Sequence, residues 1–112
     1  MTLNEYQAWA ETTAIYPRGE KGFLGPIYCA LKLNGEAGEV AEKIGKMLRD
    51  NNGVMTETLK LDLALEVGDI LWYCSNLARE IGYTLEKVAE MNQRKLESRK
   101  ERGKLGGSGD HR

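Results

Sequence analysis

The sequence of 112 residues predicts an all-α fold, and two observations carry that prediction. Apolar residues recur at helical spacing in four segments, and no segment sustains the apolar–polar alternation of a half-buried strand. Short stretches rich in Gly, Pro, Asn and Thr, the residues of turns and helix caps, separate these segments. We therefore predict an antiparallel, four-helix bundle-like subunit.

The first two helices are predicted over residues 3–16 and 27–49. Thr2 and Glu5 form a capping box that begins the first helix, and Pro17 ends it. The stretch 18–26 holds three glycines and closes on a proline, so we predict a loop there. The residues Asp50–Gly53, "DNNG", are typical of a turn and follow the second helix.

The third helix is predicted over residues 57–81, and the fourth follows Thr84 and ends at about residue 102. Thr56 and Thr84 are their N-caps, and Gly82 and Gly103 are their C-terminal stops. The centre of the third helix, "LALEVGDILWYC", is apolar on nearly every side. Because three other helices are too few to cover it, we predict an oligomer. Residues 1–103 then form one domain, and the Gly-rich tail 104–112 is expected to be irregular.

The composition excludes several classes of function. Sixteen Lys and Arg face seventeen Asp and Glu, and the resulting charge of −1 argues against nucleic-acid binding through bulk electrostatics. A single histidine, His111, leaves too little for a His-based zinc site or a Ser-His-Asp triad. No leader or membrane-length apolar run is present, so we expect a cytoplasmic protein without membrane contact.

Two acidic pairs stand on the two most apolar helices: Glu36 with Glu39, and Glu66 with Asp69. Residues three apart are neighbours on a helix face, so antiparallel packing would bring both pairs to one place. Converging carboxylates raise one another's pKa unless a cation neutralises them, and an all-oxygen ligand set suits Mg²⁺. The glycine before the second acid of each pair, Gly38 or Gly68, is expected to permit close helix approach.

These motifs resemble the signature of the MazG-like, all-α nucleoside triphosphate pyrophosphohydrolases. The resemblance rests on "LNGEAGEVAEK", "LEVGDILWY" and "LEKVAEMNQRKLESR", and it extends over nearly the whole chain. It implies Mg²⁺-dependent hydrolysis, with Mn²⁺ as a substitute, of a nucleoside triphosphate to the monophosphate and pyrophosphate. Deoxynucleotides and house-cleaning of the nucleotide pool are the expected substrate class and role. The resemblance also makes Glu36, Glu39, Glu66 and Asp69 the metal ligands, and it favours a homotetramer over a dimer.

A triphosphate needs cations beside the metal, and the fourth helix offers them. Asn92, Lys95 and Arg99 lie at the spacing of the family's Asn, Lys and Arg, and Asn92 is expected to have a buried partner. Lys43 is either a further phosphate contact or a salt-bridge partner. The tail is either a frayed terminus or a glycine-rich nest over phosphates.

The remaining candidates concern the attacking water and the nucleobase. Glu39 is the candidate general base, ahead of Glu42 and Glu36. Tyr73 lies one turn after Asp69 and is a candidate for stacking on the base, and Gln7 could reach the base or ribose. Two alternatives stay open: a non-enzymatic interaction module with a structural divalent cation, and a related enzyme acting on phosphoribosyl-ATP or dUTP.

Overall fold

The computed structural model describes residues 1–18 and 22–112 and shows helices but no strand within them. The helices are α1 (Leu3–Thr12), α2 (Leu24–Asp50), α3 (Glu57–Glu80) and α4 (Leu85–Glu101). The predicted all-α class is therefore confirmed, and residues 19–21 of the predicted loop lie outside the described part. None of the helices in these two ranges combines the length and apolar composition that a membrane crossing needs.

Three threonines begin helices as the sequence predicts. The hydroxyl oxygen of Thr2, Thr56 or Thr84 accepts a hydrogen bond at 3.1 Å from the backbone N–H three residues later. Each bond satisfies one of the N–H groups that a helix start leaves without a partner. The ends of α3 and α4 fall one residue before the predicted positions, and Gly82 and Gly103 follow them with φ of 90° and 65°.

Two predicted boundaries are wrong by three or four residues. Helix α1 ends at Thr12, not at residue 16, because the hydroxyls of Thr12 and Thr13 donate to the carbonyls of Trp9 and Ala10. These side chains take up carbonyl groups that a further helical turn would use. Helix α2 begins at Leu24, not at residue 27, and so includes Pro26. A proline is tolerated there because N–H groups of the first turn have no intrahelical partner.

Helix α3 is the centre of the subunit. It contacts each of the other three helices, whereas α2 contacts α3 alone among the helices. The radius of gyration is 17.0 Å, compared with about 13 Å for a compact domain of this length. The single subunit is therefore more open than the four-helix bundle that the sequence predicts.

The start of α2 lies beside the end of α3, at Gly25 and Glu80. A Cβ atom at Gly25 would lie 2.6 Å from Oε2 of Glu80, so any larger residue would displace this carboxylate. The Tyr16 hydroxyl donates to Oε1 of Glu80 at 2.6 Å and holds the carboxylate in place. Gly25 is thus the position where a glycine permits close approach of α2 and α3.

The glycines of the acidic motifs do not have this role within the subunit. Apart from the two adjacent residues and the nearby backbone of its own helix, a Cβ atom at Gly38 or Gly68 would meet no described atom within 4 Å. The predicted close helix approach at these two positions is therefore wrong for the single chain.

Much apolar surface stays exposed on α3, although the sequence predicts a helix covered on several sides. Leu61, Leu65, Val67 and Leu71 are between 38% and 62% exposed. The buried residues of α3 are the small or polar Ser75, Asn76 and Ala78, near its C-terminal end. One subunit alone therefore buries only part of the apolar surface of α3.

Candidate metal and nucleotide site

Carboxylates from α2 and α3 converge at the middle of the helix pair. One oxygen from each of Glu36, Glu39 and Glu66 lies within 4.8 Å of the other two, and we call these residues the carboxylate cluster. Glu36 and Glu39 share a face because they stand three residues apart, and the packing of α3 supplies Glu66. Asp69 lies outside this set of three but is close enough to raise the pKa of Glu36.

The charges of the cluster are only partly compensated. Burial raises the pKa of Glu36, and repulsion from Glu39, Asp69 and Glu66 adds to this rise. Lys43 Nζ lies 3.7 Å from Oε1 of Glu66, whose side chain is 14% exposed. Oε2 of Glu66 is buried and has no hydrogen-bond partner among the described residues. Of the two roles that the sequence leaves open for Lys43, the ion pair is the one for which a contact exists.

The donor set fits a hard divalent cation. Three carboxylates without sulfur or imidazole are the ligand chemistry that Mg²⁺ and Mn²⁺ accept. A buried oxygen without a donor is costly, and a cation would satisfy Oε2 of Glu66. Glu39 is exposed to solvent, so the cluster is not closed by protein on every side.

Tyr73 lies near the acids of this cluster. Burial raises the pKa of Tyr73, and the neighbouring Tyr28, Glu36 and Asp69 contribute to the rise. The Tyr73 ring stands edge-on to Trp72 with 4.9 Å between centroids. Tyr73, a predicted base-binding residue, is therefore near the acids. Tyr28 is a neighbour that the sequence analysis missed, although it lies about two helical turns before Glu36 on α2.

Gln7 does not reach the carboxylate cluster with a free amide. Its Nε2 donates to the carbonyls of Ser75 and Tyr83 at 3.1 and 3.0 Å, and its Oε1 accepts from the Leu85 N–H at 2.9 Å. The side chain is buried and joins α1 to the end of α3 and the start of α4. Both amide hydrogens are engaged inside the protein, so we leave Gln7 out of the nucleotide site.

The basic residues of α4 lie apart from the cluster within one chain. Lys95 and Arg99 both form ion pairs with Asp110 of the tail, at 3.0 and 3.4 Å. Among the described residues, neither cation pairs with a member of the carboxylate cluster, and α4 makes no contact with α2. The site that the sequence predicts is thus only half assembled in the single subunit.

Asn92 corrects a further expectation. Its side chain is exposed and makes no hydrogen bond within the described residues, so the predicted buried partner is absent there. It borders an open groove of about 440 Å³ between the end of α3 and the N-terminal half of α4. Lys95 and apolar side chains complete the lining: Ile81, Tyr83, Val88 and Met91.

Comparison with known proteins identifies the family of this chain. Residues 26–103 match the family model of the MazG nucleotide pyrophosphohydrolase domain, and this range includes the carboxylate cluster, Asp69 and the basic residues of α4. The chain is also 45% identical to the "Gene 37 protein" of Mycobacterium phage L5, over the whole length of both proteins. No solved structure matches the chain. The match covers more than two thirds of the chain, and the protein therefore belongs to the MazG nucleotide pyrophosphohydrolase family.

Proposed function

We propose that this protein is a Mg²⁺-dependent nucleoside triphosphate pyrophosphohydrolase that converts a triphosphate and water to the monophosphate and pyrophosphate. The supporting observation is the carboxylate cluster, in which a buried oxygen of Glu66 has no partner among the described residues. The family match supplies the reaction class. Deoxynucleotides are the proposed substrates and house-cleaning of the nucleotide pool the proposed role.

Glu36, Glu39 and Glu66 would hold the metal, with Asp69 as the proposed fourth ligand. Bound Mg²⁺ would neutralise these carboxylates and the phosphate oxygens and lower the pKa of a water molecule. Without it, the cluster would repel a substrate that carries about four negative charges. Lys43 lowers this repulsion through its ion pair with Glu66.

Glu39 is the proposed general base. It is the exposed member of the carboxylate cluster, so water can reach its carboxylate, whereas Glu36 and Glu66 are half-buried. The carboxylate accepts a proton from the attacking water as the new P–O bond forms. The bond between the α- and β-phosphates then breaks, and pyrophosphate leaves with the electron pair.

The nucleoside is proposed to lie on the tyrosine side of the cluster. Tyr73 is close enough to Glu36 and Asp69 for both charges to raise its pKa. An aromatic ring at this position can stack on any base. Asn92 and Lys95 are the proposed phosphate contacts on α4.

Among the described residues of one chain, α4 makes no contact with α2 and Lys95 pairs with Asp110, not with the cluster. We therefore propose that the functional unit is an oligomer, with a homotetramer favoured over a dimer. The exposed leucines and valine of α3 and the radius of gyration of 17.0 Å support this proposal. In such an assembly Lys95 of one subunit contacts the phosphates of a substrate that is bound at the carboxylate cluster of another subunit. Light scattering that gives a monomer would contradict both oligomers.

The activity is tested by measuring pyrophosphate and monophosphate from the common deoxyribo- and ribonucleoside triphosphates, with Mg²⁺ and with EDTA. We expect metal-dependent turnover, highest for a deoxynucleotide, and its loss in the Glu36→Gln, Glu66→Gln double variant. Asp62→Asn is the matched control because Asp62 lies one turn before Glu66 on α3 and outside the cluster. Assays with dUTP and phosphoribosyl-ATP test the related substrates.

The rival function is an interaction module with a structural cation. Such a module needs a cation enclosed by protein ligands, whereas the exposure of Glu39 leaves space for a substrate beside the cluster. Absence of turnover with every nucleotide, in a folded protein that still binds Mg²⁺, would support the rival and overturn our proposal.

A further inference from the structure

The C-terminal tail, residues 104–112, follows Gly103 and is folded back on α4, although it contains neither helix nor strand. The guanidinium of Arg112 donates to three backbone carbonyls, those of Lys104, Leu105 and Gly109. Arg102 donates to the carbonyl of Arg112 at 2.8 Å and joins the end of the tail to the end of α4. These bonds make the tail a closed loop, which we call the strap.

Glycines allow the backbone of the strap to turn this sharply. Gly103, Gly107 and Gly109 have φ of 65°, 90° and 83°, in the region that other residues rarely adopt. The conformation is therefore encoded in the sequence of the tail.

The strap delivers a carboxylate to the basic residues of α4. Oδ1 of Asp110 lies 3.0 Å from Nζ of Lys95 and 3.4 Å from Nη2 of Arg99. Nη2 of Arg99 also donates to the carbonyl of Gly109 at 3.2 Å. One oxygen atom is thus shared by two cations of the fourth helix.

The two cations differ in their accessibility. The side chain of Arg99 is 5% exposed and that of Lys95 is 36% exposed. A phosphate could reach Arg99 only after the strap had left α4. The Lys95 ammonium has three N–H donors, of which Asp110 uses one, and it borders the open groove beside Asn92.

We propose that Asp110 is a positioning residue which fixes the Lys95 ammonium for a triphosphate, and that Arg99 anchors the strap without touching substrate. This inference rests on the proposed function for the identity of the substrate. Arg99 is buried, and a buried guanidinium requires a partner. Asp110 and Gly109 supply acceptors for Nη2 of Arg99, while its Nε is buried without a partner among the described residues. Because Asp110 pairs with Lys95 and Arg99 through one oxygen, docking of the strap and placement of Lys95 are one event.

The benefit to binding is an ordering effect. A lysine side chain has a flexible four-carbon stem, and it loses rotamer freedom when its ammonium binds a phosphate. An acceptor that already holds the ammonium removes part of that cost before substrate arrives. The carboxylate also repels a phosphate, so the positioning model and a simple charge model predict opposite signs for removal of Asp110.

The test is the dissociation constant of tripolyphosphate, measured by calorimetry in EDTA. Every protein in this series carries Glu36→Gln and Glu66→Gln, so that neither metal binding nor the charge of these two carboxylates affects the anion, and this double variant is the parent of the series. We expect Asp110→Asn to weaken binding roughly two- to tenfold, which is the range for losing one pre-ordered flexible side chain. Glu101→Gln is the matched control, since it removes one negative charge from the same basic segment without touching the strap contacts. The control is expected to bind as tightly as the parent or more tightly.

A double-mutant cycle shows whether Asp110 acts through Lys95. In a Lys95→Ala background the Asp110→Asn change is expected to have no further effect. Equal effects of Asp110→Asn in both backgrounds, tighter binding by Asp110→Asn alone, or no binding of tripolyphosphate by the parent would each overturn the proposal. None of these results depends on hydrolysis, and absence of turnover in the native protein would overturn the proposed function but not this assignment.

Discussion

The ammonium of Lys43 lies 3.7 Å from Oε1 of Glu66, while Oε2 of the same carboxylate is buried without a partner among the described residues. One half of this carboxylate is thus paired and the other is not. Glu66 joins α3 to the acids of α2, so its unpaired oxygen marks the place where a cation would be most stabilising.

Mg²⁺ is expected to stabilise the parent protein through this cluster. At ten times its dissociation constant, a ligand that binds only the folded state contributes about 1.4 kcal/mol, which corresponds to a rise of about 5 °C in Tm. Glu66→Gln should lose most of this rise, and Asp62→Asn should keep it. Thermal unfolding with and without Mg²⁺ measures both, and an unchanged Mg²⁺ effect in Glu66→Gln would contradict the proposed metal site.

Glu39→Gln is expected to lower kcat by roughly 10²- to 10⁴-fold, the usual contribution of a general base, while nucleotide binding is retained. Glu42→Gln is its matched control. Glu42 lies about one turn further along α2 and pairs with Lys46 at 3.1 Å, outside the cluster. Steady-state kinetics with Mg²⁺ separates the two variants. Equal turnover by Glu39→Gln and the parent would remove Glu39 from the mechanism.

Gly25 and Gly38 provide a matched pair of substitutions on α2. Gly25→Ala should destabilise the protein because a Cβ atom would come within 2.6 Å of the Glu80 carboxylate. Gly38→Ala has open space in the subunit and should raise the free energy of unfolding by up to about 1 kcal/mol, the difference in helix propensity. Chemical denaturation in EDTA measures both. A loss of stability at Gly38 would show that another subunit covers this face.

Sharing of sites between subunits can be tested by mixing two inactive variants. Lys95→Ala lacks the proposed phosphate contact and Glu66→Gln lacks a metal ligand. If Lys95 serves the cluster of another subunit, hybrid oligomers contain some sites with both native residues, and activity should return after the variants are unfolded and refolded together. The same treatment of each variant alone is the control. Absence of recovery, with hybrids demonstrated by mass spectrometry, would place both residues in the site of one chain.

Asp110 should report docking of the strap through its titration. The hydrogen bond and the charge of Lys95 hold the pKa of Asp110 below its ordinary value of 3.8, and the hydrogen bond and charge of Arg99 contribute in the same direction. Because the folded pKa is the lower one, the contribution of this pair is present above pH 3.8 and is lost as the pH falls through the folded pKa. NMR titration should show the pKa of Asp110 rising in Lys95→Ala. Asp50, which is held by Arg49, is the internal control and should not change.

Local sequence chemistry was sufficient for the helices and for the two acids that α2 contributes to the carboxylate cluster. The threonine N-caps act within three residues of the chain, and Glu36 and Glu39 share a face through helical spacing alone. Such features depend on backbone geometry that neighbouring residues determine. Where side chains compete with the backbone, as the hydroxyls of Thr12 and Thr13 do, the helix boundary was wrong by four residues.

The roles of Gln7, Gly25 and Asp110 were decided only by the tertiary structure. The amide of Gln7 forms hydrogen bonds with backbone groups 68 to 78 positions away in the sequence. A glycine is needed at position 25 because a carboxylate of another helix occupies the space of a Cβ atom. Asp110 reaches Lys95 because glycines reverse the tail. No periodic pattern in the sequence indicates these contacts, because each joins residues that only the packing of the elements brings together. The sequence determined which residues are candidates for binding a metal and a phosphate, and packing determined which of these side chains are engaged by other groups of the chain.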